Sequence, residues 1–495
     1  MVSPVLLIAV PLALAFITPL LGLVSRGLTR YVPAVGMLFN CLVAAQLLPR
    51  VLEEPMIVRT AGFAPPFSIY LVAGPLGVGM SLLIALVGLL VAVYATRYVH
   101  EGPVPKYHAL YLLLLIGATG MVLTGDLFNL FVFFEILCIS SYALVGYRGD
   151  RAGIESSAKY LIQGAIGSSL VLIGIGFMYG LFGTLSMADI ARNVQSVSPM
   201  QVFISLAFLV TGFGVEAAIF PLNAWLPDAH SSALSSISAI LSGIAIKAGL
   251  YAVARIIFTV YGAESILLFV VVLGLLTLLV GEMSAFSQDN IKRLLAYSSI
   301  GQMGLILFGL GLASATGVQG ALFVVVSHAL AKALLFLSVG YMIYRTGSMK
   351  ISALDGMGKR MPVSSLCFAI GAFSLVGLPP FIGFPGKFLV IRAALEKGDV
   401  LFTVLIMAVL LGTVVEGAYF FRIVQGLYFK PAPEGIATQT GQQREAPSSA
   451  LVPMCVLAAV IVAVGICPYV LTDYLKLAAA DLLDRAAYIQ HVFGA

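Results

Sequence analysis

Charge is scarce in this sequence. Only 10% of its 495 residues are Asp, Glu, Lys or Arg, where an ordinary soluble domain carries about 25%. With 60% hydrophobic residues, such a chain cannot clothe a water-facing surface, which excludes a soluble globular fold. Cysteine is scarce too. Cys41, Cys138, Cys367, Cys455 and Cys467 all lie in apolar segments, without a Cys-x-x-Cys or a Cys/His cluster. A disulfide framework, a zinc site and an iron–sulfur site are thereby excluded, and each cysteine reads as a small hydrophobe. There is no haem ligand pair, flavin motif or nucleotide loop, so no cofactor is expected and any redox chemistry would belong to partner subunits. The one basic cluster, near residues 345–360, lacks the interleaved aromatics that track nucleic acid. The N-terminal apolar run has no basic n-region and outlasts a signal peptide, so it reads as a first membrane helix.

What is present is a succession of apolar runs, each long enough to cross a hydrocarbon core of about 30 Å. About 14 spans are expected, at 4–24, 30–49, 73–97, 108–124, 127–147, 158–182, 200–223, 236–260, 266–285, 292–311, 316–344, 362–397 (interrupted), 401–427 and 449–473. The fold class is therefore an all-α polytopic membrane protein. Connections are short; only 430–448 reads as a flexible loop, and the tail 474–495 reads as lying along the interface. Loops after odd-numbered spans hold 16 Lys and Arg, and those after even-numbered spans hold five: Arg50, Arg59, Arg192, Arg392 and Lys397. The positive-inside rule then places the odd loops in the cytoplasm and both termini outside.

Two spans are broken by proline. The stretch around FPLNAWLPDAH (220–230) has a counterpart in LVGLPPFIGFPGKF (375–388), with Pro221 and Pro379 158 residues apart. Sliding the chain by that offset lays one group of five spans on another. An odd number of spans per unit inverts the second copy, an arrangement in which broken helices carry ion sites near the midplane. The expected units are 1–107 (three N-terminal helices), 108–260 (first repeat), 261–430 (second repeat) and 431–495 (loop, last helix and tail).

Inside these spans stand Glu135, Glu216, Lys247, His328, Lys332, Lys387 and Glu416. A Lys or Asp at a helix centre costs about 2.5–3.5 kcal/mol on insertion scales, and apolar replacements would be as stable. So many together point to function: a file of such groups bridged by water forms a proton relay. His328 and Lys332 are four apart and share a helix face. Blander readings exist for each: ion-pair partners for Glu135 and Glu416, snorkelling for Lys332 and Lys387, a satisfied core histidine for His328. Asp228 and His230, after Pro227, could cap the next segment.

The segments FPLNAWLPDAH, NIKRLLAYSSIGQMG (290–304), HALAKALLFLSVG (328–340) and GLPPFIGFPGKF (377–388) resemble the proton-translocating antiporter family. That family comprises antiporter-like subunits of complex I, large subunits of Mrp-type Na⁺/H⁺ antiporters, and their counterparts in membrane-bound hydrogenases. The resemblance covers roughly 70–430. It implies 14 helices, two inverted five-helix repeats and a central hydrophilic axis. It also implies roles: Glu135 resembles the key glutamate, Lys247 the central lysine, His328 and Lys332 the link between half-channels, and Lys387 the terminal lysine. The GFPGKFLVIRAAL segment, and the lack of a long lateral helix after the last span, are most similar to the Mrp D subunit and its hydrogenase counterpart. The implied function is H⁺ or Na⁺ translocation in a multisubunit antiporter in a prokaryotic plasma membrane. The alternatives are a subunit of a redox-driven complex, a stand-alone solute transporter, and a degenerate structural subunit. One departure stands out. Where the family has a lysine paired with the key glutamate, this chain has Glu216, so a Glu135–Glu216 pair is expected. Three readings follow: Na⁺ taking part there, exchanged roles of Glu216 and Lys247, or a first half that is not a proton channel.

Overall fold

The computed structural model describes residues 2–60, 62–262, 264–433 and 445–494. Most of the loop expected at 430–448, Arg444 included, lies outside the described residues. A backbone crossing lipid must satisfy its own polar groups, and the helix does this within one segment. The chain accordingly runs as α1 (Leu6–Val24), α2 (Val32–Glu53), α3 (Pro75–Tyr98), α4 (Val104–Leu123), α5 (Leu127–Val145) and α6 (Arg151–Phe182). Next come α7 (Pro199–Glu216), the short α8 (Trp225–Ser232), α9 (Ser235–Tyr261), α10 (Leu267–Phe286), α11 (Ile291–Gly311) and α12 (Ala315–Thr346). Last are α13 (Pro362–Val376), α14 (Gly383–Leu395), α15 (Val400–Phe429), α16 (Ser448–Ile466), α17 (Tyr469–Leu483) and α18 (Arg485–Gly494). Among the described residues, 13 helices are long and apolar enough to cross a membrane. Together with the broken α13–α14 they match the expected spans.

Departures from expectation are local. A two-stranded antiparallel hairpin, Met56–Arg59 with Tyr70–Ala73, interrupts the all-α scheme, with Met56 opposite Ala73. The last span stops at Ile466. The tail does not simply lie along an interface: α17 buries Leu475, Ala478, Ala479 and Leu482, and its Asp481 is bonded to Arg255 in α9.

Burial separates the helices into a centre and a rim. The most apolar stretches of α9, α11 and α12 are 100%, 94% and 94% buried, against 28% for α6 and α15. Polar side chains on α9, α11 and α12 therefore face protein, not lipid. The two 32-residue helices α6 and α12 are built alike: an Asp150 or Ser314 side chain caps the start, and a left-handed Gly183 or Gly347 closes the end. Only glycine takes that backbone without cost.

Both broken helices are stitched at their breaks by side chains, as interrupted backbone in a membrane requires. At the first, Trp225 Nε1 donates to the Val215 carbonyl at 2.8 Å, Gln163 Nε2 to the Leu222 carbonyl at 2.6 Å, and Phe220 N–H to Thr277 Oγ1 at 3.2 Å. At the second, Lys387 Nζ donates to the Val376 carbonyl at 3.1 Å. Gly383 is obligatory there, because a Cβ would lie 1.7 Å from the Ser374 carbonyl oxygen.

Candidate functional site: a buried line of ionisable groups

The first cluster forms where α7 breaks. Glu216, the last residue of α7, is fully buried. Its carboxyl accepts the Tyr160 hydroxyl at 2.8 and 2.9 Å, and the Cys138 thiol lies 3.5 Å away. Tyr160 is held in place by Trp225, stacked at 3.7 Å between ring centres. Gly249 lets α9 approach, since a Cβ there would meet Ala217 N at 2.8 Å. Glu135 is half-buried and accepts the Ser168 hydroxyl. It stands one helical turn from Cys138 on α5, whose thiol meets Glu216, and lies within electrostatic reach of Glu216. The two glutamates are neighbours with separate hydrogen-bond partners rather than a directly bonded pair, and the Cys138 thiol at the carboxyl corrects its reading as a mere small hydrophobe.

The centre is α9 against α11 and α12. Residues Leu241–Ala245 widen into a π turn, and within it the Ser242 carbonyl accepts Lys247 Nζ at 2.7 Å; such turns recur at functional sites. Lys247 is 2% exposed. His328 and Lys332 are both fully buried on α12, and Lys332 Nζ donates to the Leu295 carbonyl of α11 at 2.9 Å. Buried His230 stacks on Phe336 at 4.8 Å. Neither ring nitrogen of His230 or His328 meets a hydrogen-bond partner among the described residues. His328 lies within electrostatic reach of Lys247, Lys332 and His230, Lys332 also acts on Lys247 and His230, and Lys332 feels Glu416 and Glu282.

The second cluster forms at the α13–α14 break. Lys387 Nζ lies 2.6 Å from Glu416 Oε2, with side chains 10% and 1% exposed. Gln302 Nε2 donates to the other Glu416 oxygen at 2.7 Å. Beside them the Tyr419 hydroxyl donates to Glu282 at 2.7 Å. Neither Lys332 nor Lys387 snorkels.

Asp228 does not cap a helix. It bridges Arg293 at 2.6 Å and Lys159 at 3.2 Å, outside the crossing helices. Burial pushes its carboxyl up, but Lys159 and Arg293 outweigh this and hold it below the ordinary carboxylate range.

Sequence reasoning missed several members. Glu282 and Lys292 are each 2% exposed, and Lys292 Nζ donates to the Ala233 carbonyl. Both stand within a turn of a helix end, where charge is ordinary, and only packing buries them. Tyr160, Ser168 and Gln302 carry no signal apart from their partners.

The family described as NADH:quinone oxidoreductase/Mrp antiporter, transmembrane, matches residues 124–412. The chain belongs to this family. It is 36% identical to the N subunit of the NADH-quinone oxidoreductase of Desulforudis audaxviator, over 94% of this chain and 95% of that protein. It is 31% identical to the D subunit of the Na⁺/H⁺ antiporter of Bacillus subtilis, over 87% of each. A chain of the membrane-bound sulfane sulfur reductase, an archaeal respiratory membrane complex, superposes with a TM-score of 0.91 at 37% identity, covering 99% of this chain and all of that one. As a member of the family the chain is a multi-pass membrane protein whose relatives are subunits of larger membrane complexes.

Proposed function

We propose that this chain is the ion-moving subunit of a multisubunit membrane complex and that protons pass along the buried line. The observation that carries this is Lys332, fully buried on α12 and within electrostatic reach of both Lys247 and the Glu282–Glu416 pair. Protons enter the first half near Glu135 and Glu216, pass Lys247, His328 and Lys332, and leave through Lys387 and Glu416. Water bridges the gaps, with the open nitrogens of His230 and His328 as its partners. By the Lys and Arg count the Tyr98 and Leu234 ends of α3 and α9 face the cytoplasm of a prokaryotic cell, and both termini lie outside.

Two drivers fit the family: an opposing Na⁺ gradient, as in an Mrp-type antiporter, or a redox module. The redox reading gains support from the higher identity to the respiratory relatives, 36% and 37%, than to the antiporter relative, 31%. Glu216, with a phenol and a thiol at its carboxyl, is the group we assign to cation or proton choice in the first half. Gentle detergent extraction followed by mass spectrometry tests the driver. Co-purifying iron–sulfur proteins mean a redox pump, and small membrane subunits without them mean an antiporter. A chain that comes out alone and transports in liposomes refutes the subunit reading.

A further inference from the structure

Helix α9 carries Lys247, Tyr251 and Arg255 at four-residue spacing, which puts all three on one face. The last two have no part in the line above. The Tyr251 hydroxyl donates to the Val122 carbonyl at 2.8 Å and accepts Arg255 Nε at 3.0 Å. Arg255 donates through Nη2 to the Asp481 carboxylate at 3.2 Å and through Nη1 to the Asp481 carbonyl at 3.1 Å. The side chains of this pair are 6% and 10% exposed. Asp481 sits on α17 and also accepts the Leu76 N–H at the start of α3, at 3.0 Å. Between Lys247 and Tyr251 lies a cavity of about 30 Å³, walled by Leu76, Met80, Leu322 and Leu482. That is room for one or two waters, but the walls are apolar, and apolar cavities of this size stay dry.

We propose that this face is a second exit for a proton held by Lys247, and that α17 seals it through Asp481. The inference rests on reading Lys247 as a proton carrier. As a merely structural device the pair is poorly explained, because apolar side chains of similar volume would be at least as stable. A fixed guanidinium at the mouth of a pathway does what apolar packing cannot: it repels an emerging cation. Asp481 holds that guanidinium over the ladder. When the pair parts and the cavity wets, the Lys247 ammonium gives its proton to the entering water, and the hydronium formed passes outward. The neutral Lys247 amine is left behind, ready to be reprotonated.

The test is passive proton conductance of liposomes holding the intact purified complex, driven by a potassium diffusion potential and read with an internal pH dye. Asp481→Asn raises conductance at least about tenfold, because a buried pair that loses one partner loses far more than one tenfold step. Adding Lys247→Met returns it to the native level. An Asp481→Asn complex that assembles and stays tight overturns the seal, and a leak that survives Lys247→Met overturns the ladder. Should Asp481→Asn fail to assemble, Leu482→Ser wets the cavity without touching the pair, and the same Lys247-dependent leak is expected; no leak overturns the proposal. The parent reading fails separately, if driven transport survives Lys247→Met in the otherwise native chain.

Discussion

Glu416→Gln is the sharpest perturbation of the second cluster. Glutamine keeps the volume of the side chain and can still meet Gln302, now 2.7 Å from Glu416, so the change is in charge alone. Lys387, 2.6 Å from the lost carboxylate and with a side chain 10% exposed, is left cationic in a low-dielectric site. Removing one member of a buried pair costs about 3–5 kcal/mol. If protonated Lys387 is a step in transport, that cost falls on the step, and at about 1.4 kcal/mol per factor of ten the rate drops by about two to three and a half powers of ten. Proton uptake into vesicles holding the complex measures it, with native gel electrophoresis to confirm assembly. The double variant Lys387→Met/Glu416→Leu removes both charges. It is expected to assemble like the native chain, since apolar replacement of a buried pair is neutral or stabilising, and to transport nothing. An assembled Glu416→Gln complex moving protons within twofold of native would refute the reasoning.

Other expectations follow from the same geometry. Tyr160→Phe withdraws the hydroxyl from Glu216 and is expected to lower driven transport about two- to tenfold, the effect of losing a hydrogen bond worth about 0.5–1.5 kcal/mol; unchanged rates of an assembled complex would argue against Glu216 as a carrier. Glu216→Lys separates the readings of the first cluster: retained transport means that any ionisable group serves, and loss with assembly intact means that a carboxylate is required. Gly249→Ala drives a methyl group into the Glu216–Ala217 backbone and is expected to destabilise the complex by about 1–3 kcal/mol, read as a lower melting temperature in detergent. Asp228 has a native pKa held below its unfolded value, so its ion pairs stabilise the fold above the unfolded carboxylate value of about 3.9 and stop doing so as pH falls through the lower native value. The melting difference between native protein and Asp228→Asn should therefore be full at neutral pH, begin to shrink near about pH 4, and vanish only once pH has fallen through the lower native value.

The spans were legible because lipid imposes one rule, a run of about 20 apolar residues per crossing, and that rule is local. The breaks at Pro221 and Pro379 were legible for the same reason, since proline and glycine act on the adjacent backbone. The hairpin at Met56–Arg59 and Tyr70–Ala73 was not: its four-residue strands carry too short a pattern. Among site residues, those at helix middles, such as Lys247 and Lys332, announced themselves by the cost of their burial. Glu282 and Lys292 did not, because near a helix end the same side chain is usually wet; whether a neighbour covers it is decided by helices distant in sequence. The expected carboxylate pair resolved differently for a similar reason. The family resemblance implied that Glu135 and Glu216 are neighbours, but Ser168 and Tyr160, both on α6, decide how each is held.

Lys332 carries the central claim, because the proposed path passes through it from one half to the other. The most direct measurement is proton uptake by vesicles containing the assembled complex with Lys332→Met, a substitution that preserves length and burial. Driven proton movement is expected to be lost, with subunits and melting temperature at native levels. An assembled Lys332→Met complex that moves protons at the native rate would contradict the claim.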